Sequence, residues 1–399
     1  MTARPASWRA VVTIPEPNPL SWSMPPAELH ESTHVIGGLR TLHELAVALA
    51  ATGREVELRG PVSRPVFDAL TKAAGAHPEL PGDRRRPRSG EIVVNIEGEH
   101  DPLRFARHLL SPARLVVAML APSGQFGWPF VSPWQPRSPL TIDPEEVGRA
   151  EHLRAIAALG IDIWTHMPPI HRLAEEVGAR SSFIGSGEPN PVAEVQTTKD
   201  LPVVYLQANR WAPLAEAVAR RVHAPVAAIP QGDHETVMAE LARAKVMLWP
   251  CRVEGDGRLL REARARGTVV VGLSSNIYAV GLDEPCGAVA VEDLGEMPRV
   301  VEQLLSDSAR LSRLAEAGRR SAREQVDWPR YVQRVDAAAA AVEARPDDDA
   351  ASARAAFGDG LAELMSEREQ AIERVGVLDS HLAEAAARLR ELERQPVEA

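Results

Sequence analysis

The chain has 399 residues, 45% of them hydrophobic and 25% charged, which is too long for one ordinary core and suits two domains of roughly 100–200 residues each. A net charge of −10 argues against a nucleic-acid partner, because phosphate-backbone binding needs a basic face. There is no run of about 18 apolar residues, no apolar stretch behind a basic start, and no zinc or disulfide spacing around Cys251 and Cys286. The expectation is therefore a cytoplasmic protein with no membrane span and two buried thiols.

Short apolar runs of strand length alternate with segments of helical period, the pattern of βαβ units in a parallel sheet. The first half reads as strands at 9–14, 55–60, 91–96, 115–120 and 161–166. A helix near 39–52 sets Leu42, Leu45, Ala46 and Leu49 on one face and ends at Gly53. The polar stretch 190–200 reads as a linker, after which the pattern restarts with strands at 202–207, 224–229, 245–250, 268–273 and 287–291. The expected division is an N-terminal Rossmann-like domain over 1–189 and a C-terminal one over 200–326. Two doubly wound units put a ligand cleft between their strand C-termini. A crossover helix is expected over 327–345, with Pro329 tolerated in its first turn, and a helical extension over 350–395. In that extension Leu382, Ala385, Leu389 and Leu392 step by three and four. It would fold back on the protein, pair as an oligomerising coiled coil, or dock a partner.

Chemistry concentrates in VMLWPCRVEGDGRLLREARARGTVVVG (246–272). A strand ends at Pro250, a loop holds Glu254, Asp256 and Gly257, a short helix spans about 258–266, and Gly267 stops it. Glu254 thus sits in the loop and Glu262 a turn into the helix, so both carboxylates can face one ligand. The loop glycines allow close backbone approach, and the helix N-terminus offers free N–H groups to phosphate. Asp256 beside a diphosphate would be repulsive, so capping the helix is its expected role.

In these residues the chain resembles the retaining, nucleotide-sugar-dependent glycosyltransferases of the GT-B fold, in particular the family 4 group. The resemblance implies two Rossmann-like domains with an interdomain cleft, the acceptor on the N-terminal domain and the nucleotide sugar on the C-terminal one. It implies that Glu254 contacts the sugar hydroxyls and Glu262 the ribose hydroxyls. A glycine-rich loop precedes the first helix in that family, here Gly37 and Gly38. Arg210, in LQANRW, falls where the family places a cation that neutralises the departing diphosphate. The family's lysine beyond it is missing from WAPLAEAVARR, and Arg258 is expected to supply that charge.

His100, after strand 91–96, matches loosely a histidine near the sugar's anomeric carbon, where it would orient the donor or relay a proton; a plain loop histidine is the other reading. Phe126, Trp128 and Trp134 lie in PSGQFGWPFVSPWQPRSPL (122–140), rich in proline and aromatics. They either stack on an acceptor or fill a local core. The implied reaction moves a sugar from a nucleotide-diphosphate donor to an unidentified acceptor with retention, without metal or cofactor. A catalytically silent scaffold, an epimerase and a phosphorylase on the same fold are the alternatives.

Overall fold

The computed structural model describes residues 8–13, 37–60, 62–80, 88–96, 111–119, 153–154, 156–189, 198–207, 211–230, 234–251, 257–278 and 280–345. The first unit runs β1 (Arg9–Thr13), α1 (Gly37–Ala51), β2 (Val56–Arg59), α2 (Arg64–Ala74), β3 (Glu91–Ile96), β4 (Arg114–Met119), β5 (Asp162–Thr165), α3 (Pro168–Glu176) and β6 (Ser181–Phe183). The second runs β7 (Leu201–Leu206), α4 (Ala212–Ala219), β8 (Val226–Ile229), α5 (His234–Arg243), β9 (Ala244–Trp249), α6 (Arg258–Ala265), β10 (Val269–Leu273), α7 (Ser274–Ile277) and β11 (Ala288–Val291). Three helices follow: α8 (Met297–Ser306), α9 (Ser308–Gln325) and α10 (Trp328–Glu343).

Both sheets are parallel, in the orders β2-β1-β3-β4-β5-β6 and β11-β10-β9-β7-β8. Strands such as RLVVAM and VVVGL are buried on both faces, which is why they read as unbroken apolar runs rather than alternating ones. Helices cover each sheet on both sides, giving four apolar clusters. Local chemistry sets the helix ends. Ser63 caps α2 by accepting from the Val66 amide, with a proline in the first turn, and Gly75 closes it at φ 64°, a left-handed conformation that suits glycine. Asp327 caps α10 by accepting from the Arg330 amide at 2.9 Å, and Pro329 stands in its first turn as the sequence implied.

Helix α10 belongs to the second half of the chain but completes the first core. Tyr331, Val335, Ala338, Ala339 and Val342 are buried among residues of β1, α1 and β3. Burying a side chain the size of Val335 or Val342 contributes roughly 1.5–3 kcal/mol. Arginines fasten the return. Arg54 donates to Glu343 at 2.6 Å and to Asp336 at 2.5 Å. Arg114 stacks 4.3 Å over the Trp8 ring and donates to the Val342 carbonyl, while Arg345 pairs with Asp162.

Two sequence expectations shift. Gly37 and Gly38 are the first two residues of α1 and not part of a loop ahead of it. Cys251 is buried, but Cys286 is only partly so. No helix among the described residues is long and apolar enough to cross a membrane. The extension over 350–395 and its oligomerising role lie outside the described residues.

Candidate functional site at the seam between the sheets

Strand order reverses between β1 and β3 in the first sheet and between β7 and β9 in the second. Ligands of open α/β sheets bind beyond the strand C-termini at such switch points. From the first switch point the chain leaves β1 for α1; from the second it leaves β7 for α4 and β9 for α6. The Trp249 indole at the end of β9 donates to Asn276 of α7 at 2.8 Å, joining two strand ends at this edge.

Helix α6 carries arginines at 258, 261 and 264, and each secures a different part of the molecule. Arg264 is fully buried. It donates to the Leu260 and Cys286 carbonyls at 3.2 and 2.9 Å and to Gln325 of α9 at 2.6 Å, so α6 is bound to its own unit. Arg261 donates to the Ser186 hydroxyl at 3.1 Å. Ser186 lies on the segment leading out of β6 and also sits 3.4 Å from Nδ1 of His166, a buried residue just past β5.

Arg258, in the first turn of α6, is the centre of the seam. Its Nη1 is 2.6 Å from Glu44 of α1, its Nη2 3.0 Å from Glu188, and its Nε 3.0 Å from Glu262 one turn along α6. The Arg258 side chain is 11% exposed and the three carboxylates 2–6%. Three carboxyl groups from three segments of chain thus share one guanidinium, with Arg261 close by and Arg40 pairing with Glu44 at 3.2 Å. Nε and Nη1 donate hydrogen bonds to Glu262 and Glu44, while Nη2 pairs with Glu188 by charge alone; burial of such groups is tolerated because they are paired.

The partners are held independently. Glu188 donates its backbone amide to the Val326 carbonyl at 3.1 Å. Gly187 beside it presses on Tyr331 so closely that a Cβ would lie 2.4 Å from that side chain, so a larger residue would displace α10. Arg334 of α10 donates to the Ile184 carbonyl at 2.7 Å. Burial pushes the Glu44 carboxyl up, but Arg258, Arg40 and Arg261 together hold it below its usual range. For Glu188 burial wins: the carboxyl is raised despite Arg258, with Glu44 adding to the rise. Arg258 is desolvated, yet its three carboxylates raise its pKa and keep it charged.

Of the residues expected from sequence, the structure brings Arg258 and Glu262 together at this seam, opposite the helix that Gly37 and Gly38 begin. Gly257 occupies the N-cap position of α6 and brings no side-chain cap, so the cap position is one residue beyond Asp256. Glu254, Asp256, Arg210, His100, Phe126, Trp128 and Trp134 lie outside the described residues. Sequence reasoning passed over Glu44, Glu188, Arg261 and His166. The available signal was the step of three between Arg258, Arg261 and Arg264, and a glutamate inside a helix otherwise buried from Thr41 to Leu49.

Two parallel sheets with switch points toward a shared seam, and a last helix returned to the first core, form the GT-B arrangement. No family model matches the chain, and no curated protein matches it. Solved structures do. The fold is similar to sucrose-phosphate synthase from Thermosynechococcus elongatus, at 14% identity and a TM-score of 0.58 over 84% of this chain and 99% of that one. Anabaena HepE in complex with UDP-glucose matches at 12% identity and 0.52 over 84% and 99%, and a glycosyltransferase from Rickettsia africae at 9% and 0.54 over 86% and 100%. One of these neighbours is named a glycosyltransferase, and another was solved with UDP-glucose bound.

Proposed function

We propose that the chain is a glycosyltransferase that takes a sugar from a nucleotide-diphosphate donor and passes it to an acceptor hydroxyl with retention, needing no metal. The carrying observation is the meeting of α6 and α1 across the seam. The second acidic residue of the Glu-x7-Glu spacing stands 3.0 Å from Arg258, and Arg258 stands 2.6 Å from the helix of the opposite unit. Both helices follow the strand ends where this sheet type binds ligands.

In this reading Glu254 contacts sugar hydroxyls and Glu262 the ribose, while the first-turn N–H groups of α6 and the cation Arg258 receive the diphosphate. Arg210 adds charge where the leaving group develops it, and His100 orients the donor. The departing phosphate takes the acceptor's proton, so the protein works by positioning and charge stabilisation and needs no strong base. Phe126, Trp128 and Trp134 of the first unit stack on the acceptor. Closure of the seam keeps water from hydrolysing the donor.

A thermal-shift panel of nucleoside diphosphates and their sugars, beginning with UDP and UDP-glucose, tests this. A true donor at 100 times its Kd adds about 2.7 kcal/mol of stability. A flat response across uridine, guanosine, adenosine and thymidine diphosphates would overturn the donor reading.

A further inference from the structure

All three nitrogens of the Arg258 guanidinium already face carboxylates: Nη1 faces Glu44, Nη2 Glu188 and Nε Glu262. Carboxylates and phosphates engage the same planar fork of donors. Nη1 and Nε donate hydrogen bonds to Glu44 and Glu262, whereas Nη2 lies near Glu188 without one, so a diphosphate seeking the Nη1 edge of the fork competes with Glu44.

The three are not equally displaceable. Glu262 is one turn along the same helix and moves with Arg258. Glu188 is anchored by its amide to Val326 and by the packing of Gly187 on Tyr331. Glu44 and Glu188 both reach Arg258 from chain outside its own unit, but Glu44 has a second cation. Arg40, four residues earlier on α1, lies 3.2 Å from its carboxylate and keeps it neutralised once Arg258 lets go. Release of Glu44 thus leaves its carboxylate still ion-paired.

We propose that Glu44 sets donor affinity: its carboxylate holds the Arg258 guanidinium in place of the donor's diphosphate and exchanges for it on binding. The inference rests on the nucleotide-sugar reading above. Glu44 is an internal competitor for the cation that the diphosphate needs.

Calorimetric titration of UDP into the full chain and its E44Q and E44D variants tests this. Glu44→Gln removes the competing charge and should tighten UDP binding about tenfold, a difference of about 1.4 kcal/mol, with Glu44→Asp near wild type. Equal or weaker binding by Glu44→Gln overturns the proposal while leaving the donor reading standing. If wild type and Glu44→Gln both ignore UDP, GDP, ADP and TDP, both readings fall. Should Glu44→Gln not fold, hydrogen exchange of wild-type residues 40–51 decides: faster exchange with UDP supports the swap, and unchanged or slower exchange overturns it.

Discussion

Two arginine clamps tie distant parts of this chain together, and they do so in different surroundings. Arg54 reaches 289 residues along the sequence to Glu343 and also holds Asp336, yet these carboxylates are 20% and 36% exposed and meet water on one side. Arg258 reaches 214 residues back to Glu44 in a cluster where no carboxylate exceeds 6% exposure. The first clamp is a strap over a packed helix. The second is a charge held in a poor solvent, where every partner matters more and the contact can act as a switch.

Removing the central cation should produce the largest effect. Arg258→Ala leaves three carboxylates without their shared partner and should destabilise the fold by about 3–5 kcal/mol in urea titration. A loss below 1 kcal/mol would mean that the seam opens to water at little cost. Arg54→Ala should cost less, about 1–3 kcal/mol, because Glu343 and Asp336 turn to solvent when the strap is gone. If Arg54→Ala proved the more damaging, the contrast between the clamps would be reversed.

The finest test is pH. Glu188, raised by burial and by its neighbouring carboxylates, keeps a proton in the folded state at pH values where the unfolded chain has released it. Its contribution is present below the ordinary carboxylate range and is lost as pH rises through the folded value, with a slope of at most about 1.4 kcal/mol per unit. Glu44 is lowered and has the opposite sign: its contribution is lost as pH falls. Chemical denaturation at a series of pH values should show Glu188→Gln lacking part of the wild-type decline on the alkaline side. Identical profiles for wild type and variant would remove Glu188 from the cluster's titration.

Much of the architecture was legible because parallel strands buried on both faces leave uninterrupted Val, Ile and Leu runs, as in EIVVNI and TVVVGL. The strand SSF at 181–183 was not, since it has three residues and two are polar. Gly37 and Gly38 read as a loop because glycine disfavours a helix interior; at a helix start that penalty is small. The site was legible only in part. Glu262 stood in a spacing, and Arg258 lay near it. Glu44 and Glu188 belong to segments separated by 214 and 70 residues from Arg258, and no local pattern marks a carboxylate whose partner arrives by folding. Glu188 in GSGEPNP looks like any polar turn.

Helix α10 has one more consequence, for the order of events during synthesis. The second sheet draws its strands from one uninterrupted stretch, 201–291, and can consolidate once that stretch has emerged. The first core needs Tyr331, Val335 and Val342 to fill it, so the half of the molecule made earliest is the last to be finished. A chain ending near residue 326 would hold every strand and core helix of the rear lobe but a front lobe still missing one wall.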